Sequence, residues 1–169
     1  MNYSDTINIG IGAALTLIGS FSNQILTKKA QNKALANSFK GEISALISII
    51  DKRNYLSQLE KTIKKIESTN KPEPYYFHVS QEYFQVYKSN CDKIGVLKNP
   101  LPEKISQFYT YANAVIEDTL VLKQLQYDKL ISSEHIRNLI EYYQEYYSVF
   151  KITYDLGEEI IKLIDEKYN

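Results

Sequence analysis

Twenty-two consecutive residues, Thr6 to Thr27, carry no charge, and they stop against Lys28, Lys29, Lys33 and Lys40. A helix of that length covers about 33 Å at about 1.5 Å per residue, which matches a hydrocarbon core of about 30 Å. The stretch therefore reads as a membrane anchor over residues 1–27, and it turns residues 28–169 into a domain held at a bilayer surface. Asn8, Thr16, Ser20, Ser22, Asn23 and Gln24 dilute its apolar residues, so insertion is only marginally favourable. The competing reading is an apolar helix buried in a soluble core or in an oligomer. A buried helix this long normally keeps a charged face, however, and none exists here. A cleaved signal peptide fits less well, because Met1 to Asp5 contains neither Lys nor Arg and no small-x-small cleavage pattern is followed by a secreted-looking domain. Lysines on the carboxyl side alone place the amino terminus outside and residues 28–169 in the cytoplasm.

Charge and cysteine content agree with that compartment. The single Cys91 can form no disulfide within the chain and reads as a small packed residue. Net charge is zero, but its distribution is uneven: Lys28 to Lys65 holds nine Lys or Arg against three acids, and Glu141 to the end holds three lysines against seven acids. The basic part adjoins the expected membrane, where an anionic leaflet attracts it, so Lys28, Lys29, Lys33 and Lys40 form the candidate membrane-surface cluster. Lys61, Lys64 and Lys65 lie about 50 Å further along a straight helix and read as a solvated face. Neutral overall charge and the lack of a binding motif argue against nucleic acid as a partner.

Beyond the anchor the periodicity is helical throughout, which predicts an all-α chain. Phe39, Ile43, Leu46 and Ile50 recur at four, three and four; after a one-residue slip Leu56, Leu59, Ile63 and Ile66 resume the stripe. One long helix over 34–68, continuous with the anchor, follows, and Pro72 and Pro74 end it. Tyr75 to Val79 then runs extended, Ser80 caps a short helix over 80–94, and Pro102 opens a helix over 102–128. A last helix occupies 133–167 along Ile136, Leu139, Ile140, Tyr143, Tyr147, Phe150 and Tyr154, with Gly157 as a possible bend. Short loops between these helices predict a small antiparallel bundle as one domain.

Little of this chain suggests catalysis. His78 and His135 are far apart and neither has a ligand-like spacing, so no metal or other cofactor is expected. Glu117-Asp118 and Glu158-Glu159 are neighbours, which point about 100° apart on a helix and do not converge. No P-loop or nucleophile motif is present, so neither an enzyme nor a small-molecule substrate is expected.

Interaction features are more numerous. Gly12, Thr16, Gly19, Ser20 and Asn23 form a small, polar stripe at helical spacing, which lets two anchors approach closely and points to self-association in the membrane. Arg53 falls where the apolar stripe slips, so it either lies along the helix edge near Asp51 and Tyr55 or serves a partner. Tyr142, Tyr143, Tyr146 and Tyr147 make a stripe two residues wide, of which Tyr143 and Tyr147 read as core and Tyr142 and Tyr146 as a possible partner surface.

The segments Phe39-Lys40-Gly41-Glu42-Ile43, Ile50-Asp51-Lys52-Arg53-Asn54-Tyr55, Tyr83-Phe84-Gln85-Val86-Tyr87-Lys88-Ser89-Asn90, Lys93-Ile94-Gly95-Val96-Leu97 and Phe108-Tyr109 resemble a group of uncharacterised bacterial proteins. Those are small proteins, often from prophage or mobile regions, with an amino-terminal transmembrane helix and a helical cytosolic part. The resemblance covers Ile7 to Asp118 and implies a bacterial inner-membrane setting, with the bilayer and either a second copy or another protein as partners. Two functions are compatible with it: a non-enzymatic, membrane-anchored interaction or scaffold module, and an effector of superinfection exclusion or phage defence at the membrane.

Overall fold

A computed structural model describes the backbone of residues 3–75, 77, 80–126 and 132–168, and the side chains of 23–75, 77, 80, 82–123, 132 and 134–168. The described residues are helical with no strand: α1 Tyr3–Lys52, α2 Tyr55–Thr69, α3 Gln85–Asn90, α4 Leu101–Gln126 and α5 Ser133–Tyr168, with 3₁₀ turns at Gln81–Tyr83 and Cys91–Val96. The expected all-α bundle is present.

The predicted helix over 34–68 is two helices, and the slip in the apolar stripe is the reason. Continuing a helix through the extra residue would rotate every later apolar side chain by about 100° out of the core. Instead Asn54 takes a left-handed conformation, φ 50° and ψ 37°. Asparagine reaches that region more easily than most residues, so the register is reset at small cost. Around this joint Asn54 N–H donates to Asp51 O at 2.9 Å, while the amide of Gln58 donates to Asn54 O at 2.9 Å. Phe39, Ile43, Leu46 and Ile50 are buried above the joint and Leu59, Ile63 and Ile66 below it; Tyr55 takes the core place that the periodicity gave to Leu56. A second left-handed asparagine, Asn70, closes α2 by donating to Ile66 O at 2.9 Å.

Together α1 and α2 run antiparallel to the whole of α5. The pairs are Lys40 with Asp165, Asp51 with Tyr154 at 3.0 Å, and Glu67 with Gln144 at 3.1 Å. On the other flank of α5 lies α4, also antiparallel, with Lys104 bonded to Glu159 at 2.8 Å and Asp118 to Tyr142 at 3.2 Å. The segment after Pro74 fills the remaining groove. Tyr75 and Phe77 turn inward, Tyr75 donating to Tyr55 O at 3.0 Å and Phe77 standing edge-on to Tyr55 and Phe150 at 4.7 and 4.8 Å between ring centres. This return leads back toward α1, where the expected helix over 80–94 is divided by Phe84, whose φ of −99° and ψ of 44° leave the helical region and tuck its ring beneath Tyr109. Ser132 begins α5 by accepting the N–H of His135 on its Oγ at 3.1 Å.

Gly157 does not interrupt α5, which runs from Ser133 to Tyr168; it brings α5 close to its neighbours. A β-carbon there would lie 2.8 Å from Ile47 Cδ1 and 2.9 Å from Phe108 Cε2. Gly157→Val should therefore cost about 2–3 kcal/mol in guanidinium unfolding, the range for overpacking a filled core. Gly157→Ala should cost much less, because about 1 kcal/mol of helix propensity offsets its smaller overlap. A valine variant as stable as the parent would show that this contact is not tight.

Candidate functional site

Among the described side chains of α1 the first buried one is Ala36, about 33 residues after the helix starts at Tyr3. Asn23 to Gln31 are exposed without exception, so α1 leaves the bundle as a rod. At its base, Lys28, Gln31, Asn32, Leu35 and Ser38 share one face of α1 and line a groove of about 780 Å³, whose opposite wall is Asn90, Lys93 and Val96. Asn32 Nδ2 donates to Val96 O at 3.0 Å and ties the rod to that wall. The end of α5 closes the same end of the bundle: Lys98 N–H donates to the Tyr168 hydroxyl at 3.0 Å and Lys98 Nζ to Lys167 O.

The basic cluster divides in two. Lys28, Lys29 and Lys33 are exposed, and none makes an ion pair among the described residues. Lys40, grouped with them on sequence spacing, lies about two to three turns further down and is half-buried against Asp165 of α5. Its charge serves the packing of α1 on α5 rather than the exposed part of α1. Its place is taken by Lys93, which periodicity could not find because it lies on a turn some sixty residues away. Lys64 and Lys65 pair with Glu60 and Glu73 at 2.6 and 2.8 Å at the far end of the bundle.

One carboxylate organises the groove's far wall. Glu42 on α1 accepts Val86 N–H at 2.6 Å on one oxygen, and Tyr87 N–H at 3.2 Å and the Tyr109 hydroxyl on the other. Because α3 has no side-chain cap of its own, Glu42 supplies the acceptor that its first turn lacks. The Tyr109 ring stacks on Tyr87 at 4.1 Å and 18° and meets Phe84 edge-on at 5.3 Å. Burial, reinforced by the bond to Glu42, holds the Tyr109 phenol well above its ordinary range.

The other sequence candidates are placed as follows. Arg53 is exposed at the helix joint and donates to the Tyr55 hydroxyl at 2.7 Å, which stabilises its charged form. Tyr146 is 1 % exposed and shares a 2.9 Å hydrogen bond with Thr119, so it belongs to the core and not to a partner surface. Tyr147, expected inside, is only half-buried. Tyr142 is half-buried and bonded to Asp118; burial, with that carboxylate beside it, pushes its phenol up to about 12. Cys91 is exposed rather than packed. No group of His, Cys, Asp and Glu that could hold a metal occurs among the described residues.

Of the self-association stripe, Gly12, Thr16, Gly19 and Ser20 lie outside the described side chains; Asn23 is exposed, and its carbonyl accepts the Thr27 hydroxyl at 2.8 Å. Most of the uncharged stretch Thr6 to Thr27 likewise falls outside them, and among the described residues no helix is long and apolar enough to cross a membrane. No family model matches the chain, and neither a curated protein nor a solved structure is found to be similar to it.

Proposed function

We propose that the chain is a single-pass, non-enzymatic interaction module of the bacterial inner membrane, anchored by the uncharged start of α1 and presenting the helical bundle to a cytoplasmic partner. The observation that supports this reading is the continuity of α1. One helix carries the uncharged stretch at one end and Phe39, Ile43 and Ile47 of the core at the other. From Tyr3 to Ala36 it rises about 50 Å, enough to cross a bilayer and clear its headgroups. Because no break intervenes, rotation or tilt of the anchor is carried into the packing of α1 against α5. Pairing of anchors along Gly12, Thr16, Gly19, Ser20 and Asn23 would then set how two bundles are presented to a partner.

Membrane fractionation tests the anchor, and crosslinking tests the pairing. The full chain should stay with bacterial membranes after carbonate washing, with residues 28–169 cleaved by protease only in inverted vesicles. Release by carbonate would sink the anchored reading. Gly12→Ile with Gly19→Ile should reduce crosslinked dimers in membranes at least fivefold, since two branched side chains prevent close backbone approach. Dimers at the parental level would assign self-association to another surface.

A further inference from the structure

We propose that the groove between α1 and the Cys91–Val96 turn binds the phosphate of an anionic phospholipid headgroup; this rests on the anchored reading and names the ligand at the base of the anchor. The lining is suited to an anion. It offers the ammonium groups of Lys28 and Lys93 and the carboxamides of Gln31, Asn32 and Asn90, and no carboxylate is among its lining residues. Asn32 and Asn90 each commit one N–H to a backbone carbonyl, of Val96 at 3.0 Å and Val86 at 2.9 Å, and each keeps a second N–H to donate. The intrachain bonds hold the amides in place, and the lysines, which make no ion pair among the described residues, supply the charge.

Depth selects a lipid over a free phosphate ester. Lys28 directly follows Thr27, the last residue of the uncharged stretch, so the mouth of the groove opens where the hydrocarbon ends. A leaflet's polar layer is about 5–8 Å thick, or about four to five residues of helix, which takes in Lys28, Gln31 and Asn32. Val96, 54 % exposed, adds an apolar group to the lining beside the polar ones. Lys29 and Lys33 lie on the same two turns of α1 and add to the local positive potential, while Asp92 in the turn opposes it.

The full chain in mild detergent, titrated with short-chain lipids and followed by the backbone amide signals of Asn32, Lys93 and Val96, provides the test. Dihexanoyl phosphatidylglycerol should shift these signals saturably and bind about tenfold more tightly than dihexanoyl phosphatidylcholine. Lys28→Gln with Lys93→Gln should weaken it about tenfold, whereas Lys64→Gln at the far end should leave it unchanged. Equal affinity for the two lipids, or no effect of the double substitution, overturns the proposal. Glycerol 3-phosphate binding as tightly as the lipid also overturns it, in favour of a soluble phosphate ester. Carbonate extraction of the same protein separates the two readings: a carbonate-resistant chain without lipid selectivity refutes the groove and leaves the anchor standing, and a carbonate-released chain refutes the anchor whatever the titration shows.

Discussion

Raising the pH from 9 to 12 should unfold the bundle cooperatively, with half the helical signal lost between about pH 11 and 12. Tyr75, Tyr109 and Tyr146 are 4 %, 0 % and 1 % exposed, and their hydroxyls bond to Tyr55 O, the Glu42 carboxylate and the Thr119 hydroxyl. Burial holds all three phenols well above the ordinary value near 10. Since the folded pKa lies above the unfolded one, their contribution is fully present below pH 10. It falls once the unfolded chain releases protons that the folded chain retains. Each such group lowers stability by about 1.4 kcal/mol per pH unit, so the three together lower it by about 4 kcal/mol per unit above pH 10. Against a total near the lower end of the usual range of about 5–15 kcal/mol, one to two units suffice. Guanidinium midpoints at pH 8, 10 and 11, read with tyrosinate absorbance at 295 nm and far-ultraviolet dichroism, measure this directly. Tyrosinate absorbance should rise in two stages, the second coinciding with loss of helix. Titration of all fifteen tyrosines in one step near pH 10 with the dichroism unchanged would contradict the burial described above.

The same tyrosines show where the sequence was readable and where it was not. Tyr143 and Phe150 lie on a helical stripe and are buried as their spacing implies. Tyr146 and Tyr147 are one residue and about 100° apart on that helix, and either could complete the stripe. The choice depends on the rotation of α5, which is set by partners distant in sequence: Thr119, which bonds Tyr146, and the close approach of Gly157 to Ile47 and Phe108. The break at Asn54 was visible as a slip but not as a joint, because left-handed asparagine is too common in loops to be informative without the core on both sides. Pro72 and Pro74 marked the end of α2 correctly, but nothing local said that Tyr75 and Phe77 would fill a groove between α2 and α5. For the candidate site, only Lys28 was legible, as a member of the basic cluster; Asn32 and Ser38 share its face of α1 but carry no charge to mark them. The other wall, Asn90 and Lys93, is brought to it by the return of the chain from the far end of the bundle, which no periodicity records.

Glu42→Ala should be the most damaging single substitution outside the apolar core, costing about 3–4 kcal/mol. The carboxylate satisfies three donors at once, Val86 N–H, Tyr87 N–H and the Tyr109 hydroxyl. Hydrogen bonds to a charged acceptor are worth about 1.5–3 kcal/mol each, and the sum is reduced because the two amides at the start of α3 become accessible to water once α3 loosens. Glu42→Gln should cost about 1–2 kcal/mol, since one oxygen remains while the new amide turns its own N–H toward a donor. Tyr109→Phe should cost a similar amount, and the Glu42→Ala, Tyr109→Phe double variant less than the sum of its parts, as two members of one network do. Hydrogen exchange should locate the damage, with protection lost first at Val86 and Tyr87. An alanine variant within about 0.5 kcal/mol of the parent would mean that α3 is held by its aromatic contacts alone. The consequence for the groove separates placement from charge. Removing Glu42 makes the protein more positive, so a purely electrostatic attraction predicts tighter binding of anionic lipid. Because Glu42 fixes the start of α3, and α3 leads directly into the turn carrying Lys93, the expected result is the reverse: binding of dihexanoyl phosphatidylglycerol weakens although no lysine has been lost.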